Sequence, residues 1–171
     1  EKNIKNTFDL KIKGTLKKNI LRFDQITLSE NENILSVKNL TLSNEYKIEE
    51  IRNIKLSFKD KTQQINELEL KKDKKNYIIV GDSFNADKLI TDLLKSKKDD
   101  KKKFFNKNFN LGIDIKKVYL DQNNIINNLK GSMSFMDNEI TELNLDSEFS
   151  NKQSIKFTIK ISNNEKITTL F

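Results

Sequence analysis

The chain contains no cysteine, histidine, tryptophan or proline, and only four of its 171 residues are glycine. The absence of cysteine rules out a disulfide framework, and without cysteine or histidine the commonest zinc ligands are missing. The same absences exclude the Ser–His and Cys–His pairs of nucleophilic catalysis. Aspartate, glutamate, serine and lysine are plentiful but form no recognisable catalytic constellation, so we expect neither an enzyme nor a bound cofactor or metal.

The chain is rich in charged residues and poor in apolar residues. Charged residues make up 33% of the chain and hydrophobic residues 35%, and the net charge is +7. The excess lysines lie in two stretches, 71–75 and 95–103, which we interpret either as solvated linkers or as contacts for anionic lipid headgroups. The candidate headgroup or anion contacts are Lys71, Lys72, Lys101, Lys102 and Lys103. Nucleic acid is an unlikely partner, because no basic stripe is interleaved with exposed aromatic residues.

Apolar and polar residues alternate along most of the chain, which predicts β-strands with one apolar and one polar face. A six-residue unit recurs: an apolar residue, two spacers, an apolar residue, one spacer and leucine. It begins at Phe23, Val37, Ile51 and Ile65, and it returns at Ile115 and Ile140. Links this short join antiparallel strands. The two-residue gap inside the unit breaks the alternation and predicts a bulge, and a row of bulges in register would curl the sheet.

The centre of the chain carries a different pattern. Residues 77–80 are β-branched or aromatic and predict a strand, which Gly81 is expected to end. Asp82 or Ser83 is then placed to cap a helix, and apolar residues at helical spacing predict that helix over about 85–96. We interpret it as a short helix that plugs one end of the sheet, or alternatively as a lid over a ligand.

These patterns predict a mainly β fold: a long, curled antiparallel meander, or β-groove, of about ten strands with one short helix. A first strand set over 1–84, the helix over 85–96, a basic linker over 97–107 and a second strand set over 108–171 form a single segment. Because the chain begins at Glu1 and ends inside an apparent strand at Phe171, we expect it to be excised from a longer, repeat-built protein.

One short helix cannot cover the apolar face of such a sheet. Ten strands span about 48 Å, whereas a helix of about 12 residues is roughly 18 Å long and 10 Å wide. Each large apolar side chain left in water forfeits about 1.5–3 kcal/mol. The sheet must therefore close over a dry core, pack on a neighbouring domain or hold something apolar such as acyl chains. The candidate groove-lining residues are Leu40, Leu42, Ile54, Leu56, Leu68, Leu70, Val118, Leu120, Met133, Phe135, Leu143 and Leu145.

Four features together resemble a known family. Gly81-Asp82-Ser83-Phe84-Asn85-Ala86 opens the predicted helix, and the strand over 109–120 follows the polar break. Leu129-Lys130-Gly131-Ser132-Met133-Ser134-Phe135 has a Leu-x-Gly strand, and Ile167-Thr168-Thr169-Leu170-Phe171 ends the chain. Over about residues 35–171 the chain thereby resembles the AsmA-like superfamily of bacterial envelope proteins, in particular the central region of YhdP-type members.

The resemblance implies a periplasmic β-groove in a Gram-negative bacterium, on a parent protein anchored in the inner membrane. It implies that the apolar interior binds or conducts phospholipid, or another acyl-chain lipid, between the inner and outer membranes. The implied partners are that lipid, neighbouring β-groove segments of the same chain and the membrane, which other parts of the parent protein would reach. The alternative is a structural or interaction β-domain of an envelope protein, with a dry core and no ligand.

Overall fold

A computed structural model describes residues 9–17, 20–88, 108–136, 139–162 and 165–171. They form a single sheet of eleven strands, arranged side by side in chain order. The strands are β1 (Asp9–Lys17), β2 (Ile20–Glu30), β3 (Asn33–Leu42), β4 (Ile48–Lys59), β5 (Ile65–Asp73), β6 (Asn76–Asn85), β7 (Phe109–Tyr119), β8 (Ile125–Met136), β9 (Glu139–Phe149), β10 (Ser154–Ser162) and β11 (Glu165–Leu170). The sheet is open, with β1 and β11 at its edges. The mainly β fold is confirmed, with eleven strands in place of about ten.

The strand predicted to end at Gly81 continues to Asn85, so that prediction was wrong. The glycine serves a close approach between strands: a Cβ there would lie 2.5 Å from the Glu67 carbonyl oxygen and 2.6 Å from Leu68 Cδ2. The predicted caps, Asp82 and Ser83, are strand residues instead.

The capping contact belongs to a later residue than predicted. The Asn85 side-chain oxygen accepts a hydrogen bond from the Asp87 backbone N–H at 3.1 Å, which is the contact of an N-cap residue. Asp87 and Lys88 have helical backbone. Residues 89–107, which include most of the predicted helix over 85–96 and the predicted basic linker, lie outside the described residues.

One pair of neighbouring strands is parallel. β6 pairs with β7 in parallel register, with Tyr77 opposite Leu111 and Val80 opposite Asp114, whereas the other nine pairs are antiparallel. The prediction of a wholly antiparallel meander was therefore wrong at this one position. A parallel connection needs a dozen or more residues, and only the connection over 86–108 is that long among the links between described strands.

One bulge lies where a two-residue gap of the repeat predicts it. Between β1 and β2 the register passes from Lys13 opposite Gln25 to Gly14 opposite Phe23, so Asp24 is skipped. Between β3 and β4 both Asn39 and Arg52 are skipped, so the register is unchanged there, and it shifts instead beyond Thr41, where Glu49 is skipped. Asn39 adopts a φ of 50°, which asparagine tolerates better than most residues. The bulge in the unit that begins at Phe23 is confirmed, and the curl expected from such a row stays a prediction.

A second set of irregularities crosses β6, β7 and β8. The register skips Asp82 and Lys116 between β6 and β7, and it skips Lys116 and Asn128 between β7 and β8. Asn128 has a φ of 54°. At each of these gaps both strands skip one residue, so the register itself does not shift. Ile115 and Val118, on either side of the gap in β7, pack in the same apolar cluster and therefore point to the same face of the sheet.

The register sorts side chains onto two unlike faces. On the apolar face, Leu56 lies opposite Leu35 and Leu68, and Ile115 lies opposite Leu129. The most buried part of this face is central, where Ile115, Val118 and Ile126 pack with Ala86, the first residue after β6. The opposite, polar face carries lysine, glutamate, aspartate, serine and threonine on nearly every strand. The core thus sits on one side of the middle strands.

Candidate functional site: the apolar face of an open sheet

The structure gathers the predicted groove residues on the apolar face. Cross-strand partners point to the same face, and the register pairs Ile54 with Leu70 and Met133 with Leu143. The predicted lining residues are Leu40 and Leu42 on β3, Ile54 and Leu56 on β4, Leu68 and Leu70 on β5, Val118 on β7, Leu120 directly after β7, Met133 and Phe135 on β8, and Leu143 and Leu145 on β9. Val118 and Leu143 are buried and the other ten are half-buried. Their role in lipid contact stays a prediction.

Exposure along the apolar face rises from the middle of the sheet to its first edge. Val118 on β7 is 3% exposed and Ile115 is 5% exposed. Leu10 and Leu16, on the same face of β1, are 59% and 71% exposed. The face is therefore a core at its centre and an accessible apolar surface at the β1 edge.

The strand arrangement is open rather than closed. The described residues supply one sheet and no second layer of strands, and its edge strands β1 and β11 do not pair with each other. A closed sandwich over a dry core would need a second layer, so the described strands favour a sheet with an accessible face.

The polar face carries a row of six charged residues and one valine that crosses seven strands. In register across β4 to β10 the row reads Lys55, Glu69, Val80, Asp114, Lys130, Asp146 and Lys156. Within it, Lys130 Nζ lies 4.0 Å from Asp114 Oδ2, and Lys156 Nζ lies 3.6 Å from Asp146 Oδ1. Exposed pairs of this kind add at most about 1 kcal/mol each. These pairs contribute little to stability, but such a lattice of charges identifies the face of the sheet that is exposed to water.

A shallow depression on the polar face belongs to the same lattice. It has a volume of about 610 Å³, and Ile34 and Val80 form its apolar part. Lys116 Nζ lies 2.6 Å from Asp82 Oδ1 at its rim, and the Asp82 carboxylate raises the pKa of Lys116 through this hydrogen bond and its charge. The Glu69 carboxylate is held by Lys71 at 3.0 Å. These carboxylates are engaged in ion pairs, so the depression offers no cluster of charges for a ligand.

Two of the predicted headgroup contacts lie in a strand. Lys71 and Lys72 belong to β5, and the link to β6 is only Lys74 and Lys75, so the interpretation of 71–75 as a linker was wrong for its first three residues. Lys71 points to the polar face and pairs with Glu69. Lys72 points to the apolar face, with its Nζ 2.6 Å from Glu50 Oε1. The remaining candidates, Lys101, Lys102 and Lys103, lie outside the described residues.

A polar network at one end of the sheet was not predicted from the sequence. Asn66 on β5 has no exposed surface. Its Oδ1 accepts a hydrogen bond from the Asn85 N–H at 2.7 Å, and its Nδ2 donates to the Gln64 carbonyl at 3.1 Å. Asn85 Nδ2 donates in turn to Asp60 Oδ2 at 2.6 Å. The network ties the link between β4 and β5 to the residue at which β6 ends.

Asp60 is the charged member of that network. Burial raises its pKa, but hydrogen bonds from Thr62, Asn85 and Gln64 stabilise the carboxylate more strongly and lower the pKa to about 2. Asn66 occupies a position at which the alternation that includes Leu68 and Leu70 calls for an apolar residue. That mismatch was the sequence signal for a buried amide. The arrangement is structural, since its groups bond to one another.

Within the described ranges, no helix is long and apolar enough to cross a membrane, and no three acidic side chains are grouped as metal ligands would be. No protein-family model matches the chain, and no curated protein or solved structure is significantly similar to it.

Proposed function

We propose that the apolar face binds the acyl chains of phospholipid or of a similar lipid. The observation that supports this most directly is the asymmetry of the sheet. One face carries most of the apolar side chains, with some from each of the eleven strands, and the other carries a lattice of charges. In a sheet exposed to water on both faces, gathering the apolar side chains on one face would bring no stabilisation, because apolar side chains in water forgo their burial energy.

The accessible part of the apolar face suits a flexible apolar occupant. Ile12 on β1 is 57% exposed and Leu10 is 59% exposed, and full burial of each would contribute about 1.5–3 kcal/mol. An acyl chain gains about 0.8 kcal/mol for each CH₂ that it buries. The surface offers contact without hydrogen-bonding side chains, so we expect selectivity for apolar chains and little discrimination among them.

The family resemblance supplies the setting of the proposal. We propose that the chain is a segment of a periplasmic, inner-membrane-anchored AsmA-like protein, whose groove conducts phospholipid between the two membranes. No chemical step is required of such a groove. The apolar side chains exclude water from the acyl chains, while the headgroups stay at the open side.

The two edges of the sheet suit extension by neighbouring segments. Because one of the ten strand pairs is parallel, β1 and β11 run in opposite directions. A following segment of the same design would then set its first strand antiparallel to β11, with the apolar faces continuous. We expect flanking segments of the parent protein to protect the backbone amides of β1 or β11 from hydrogen exchange. Unchanged exchange at both edges would argue against extension.

Native mass spectrometry of the purified chain, followed by organic extraction, tests the lipid proposal. We expect phospholipid to co-purify at a defined stoichiometry and to be displaced by added acyl-chain lipid. A clean apo mass, together with no binding of a dye that reports exposed apolar surface, would contradict the proposal. That result would favour the alternative function, a structural or interaction β-domain with a dry core.

A further inference from the structure

A pocket of about 320 Å³ lies at the end of the sheet that carries the link between β5 and β6. The ladder between β4 and β5 pairs Asn53 with Lys71 as its outermost step there. β4 nevertheless begins at Ile48, and β5 continues to Asp73. The two strands therefore separate beyond the last pair, and the pocket, here termed the hairpin pocket, opens between them.

The inner wall of the hairpin pocket is part of the apolar face. Ile48, Tyr77 and Phe109 line it, and the register places all three on the same face as Leu111 and Leu42. The Tyr77 and Phe109 rings meet edge to face, with centroids 5.4 Å apart. Phe109 stacks on Phe135 at 4.8 Å. Aromatic side chains, tyrosine above all, favour such boundaries between an apolar region and water.

The outer wall of the hairpin pocket is charged. Three lysines, Lys72, Lys74 and Lys75, line it together with Glu49 and Glu50. Lys72 is held by Glu50 at 2.6 Å. Lys74 and Lys75 form the exposed two-residue turn of the hairpin, and neither makes an ion pair with another residue in the described ranges. The wall therefore carries three positive and two negative charges, and its net charge of +1 lies at the mouth of a pocket whose floor is aromatic.

We propose that the hairpin pocket holds the phosphodiester headgroup of an anionic lipid whose acyl chains lie on the apolar face. The proposal rests on the function proposed above, and it adds a position and a charge preference for the headgroup. Lys74 and Lys75 supply the complementary charge. Tyr77 and Phe109 contact the first carbons of the lipid below the headgroup. A free phosphate ion would gain from the lysines but nothing from the aromatic floor.

The test compares two lipids with the same fluorescent-labelled acyl chains, phosphatidylglycerol and diacylglycerol, on two double variants of the chain. Lys74→Ala/Lys75→Ala removes the pocket charges. Lys11→Ala/Lys13→Ala removes two exposed lysines from the polar face of β1 and is the matched control. A lysine near an anionic headgroup is worth about fivefold in affinity. We therefore expect the pocket variant to lose about 25-fold for phosphatidylglycerol and nothing for diacylglycerol, and the control to change neither by more than about twofold.

Each other outcome overturns a distinct part of the account. Equal losses in the pocket and control variants would mean general electrostatic attraction, and the headgroup site would fall while lipid binding stands. Binding of neither lipid by the unaltered chain would overturn the proposed function and the headgroup site together. Displacement of phosphatidylglycerol by millimolar glycerol phosphate would identify a site for free anions. Thermal unfolding of both variants, followed by circular dichroism, confirms that they remain folded.

Discussion

The strands β1 and β7 both alternate apolar and polar residues and point their apolar side chains to the same face, yet those side chains differ widely in burial. Ile115 on β7 is 5% exposed, whereas Ile12 on β1 is 57% exposed. The difference comes from position in the sheet: β7 has a paired neighbour on each side, and β1 has one. A single pattern therefore builds a core at the centre and an accessible apolar surface at the edge.

The largest expected effect lies at the centre. Val118→Asp places a carboxylate among Ile115, Ile126 and Ala86 with no partner, which should lower the free energy of unfolding by more than about 4 kcal/mol. Urea denaturation followed by circular dichroism measures it. Lys117→Asp, on the exposed polar face, is the control and should cost less than about 1 kcal/mol. A Val118→Asp protein of ordinary stability would show that the centre is not a core.

A smaller loss is expected at the polar network that joins β5 to β6. Asn66→Leu removes the acceptor of the Asn85 N–H and the donor to the Gln64 carbonyl. Buried groups left without partners cost about 1–3 kcal/mol, so we expect about 2 kcal/mol in the same urea assay. Lys61→Ala, in the exposed link, should cost less. If Asn66→Leu stabilised the chain, the network would be a remnant that a better apolar core can replace.

Acid should weaken the same network through Asp60. Its pKa is lowered from 3.8 to about 2 in the folded chain, so its contribution is complete above pH 4 and is lost as the pH falls from about 4 to about 2. Allowing for solvent screening, we expect a loss of about 1 kcal/mol. Asp60→Asn should remove that share of the acid sensitivity. An identical pH profile in this variant would assign the acid sensitivity to other carboxylates.

The smallest effect on stability, and a large one on binding, is expected at the β1 edge. Ile12→Asp changes a side chain that is already mostly in water, so the free energy of unfolding should shift by less than about 0.5 kcal/mol. Lipid uptake, measured with a fluorescent acyl-chain probe, should fall by about tenfold because a charge now lies in the path of the chains. Lys11→Asp, on the other face, is the control. A strongly destabilised Ile12→Asp protein would mean that the edge is a covered core.

The strands were readable from the sequence because alternation is local. The bulge at Asp24 could also be predicted. Two spacers separate Phe23 from Ile26, so these two side chains lie on one face only if a residue is skipped. The parallel pair could not be predicted, because nothing in β6 or β7 distinguishes parallel from antiparallel partners. Its indication was the length of the connection over 86–108, which was interpreted as a helix and a linker within one meander.

Gly81 and the lysine-rich hairpin show why the rest was missed. Glycine was interpreted as a strand end, but its role depends on the Glu67 carbonyl of the neighbouring strand, 2.5 Å from where a Cβ would stand. Lysines at 71–75 were interpreted as a loop, but Lys71 pairs with Glu69 of its own strand, and Lys72 pairs with Glu50 of β4. The contacts of Gly81 and Lys72 depend on residues distant in sequence, which local patterns do not contain.

The two faces of the sheet differ in polarity, and the absence of cysteine makes that difference measurable. Ile12→Cys and Lys13→Cys place single thiols on opposite faces of β1, one residue apart. Each is labelled with the same fluorophore and mixed with phospholipid whose acyl chains carry a quencher. We expect strong quenching at position 12 and little at position 13. Equal quenching at the two positions, or none at either, would contradict a lipid-binding apolar face.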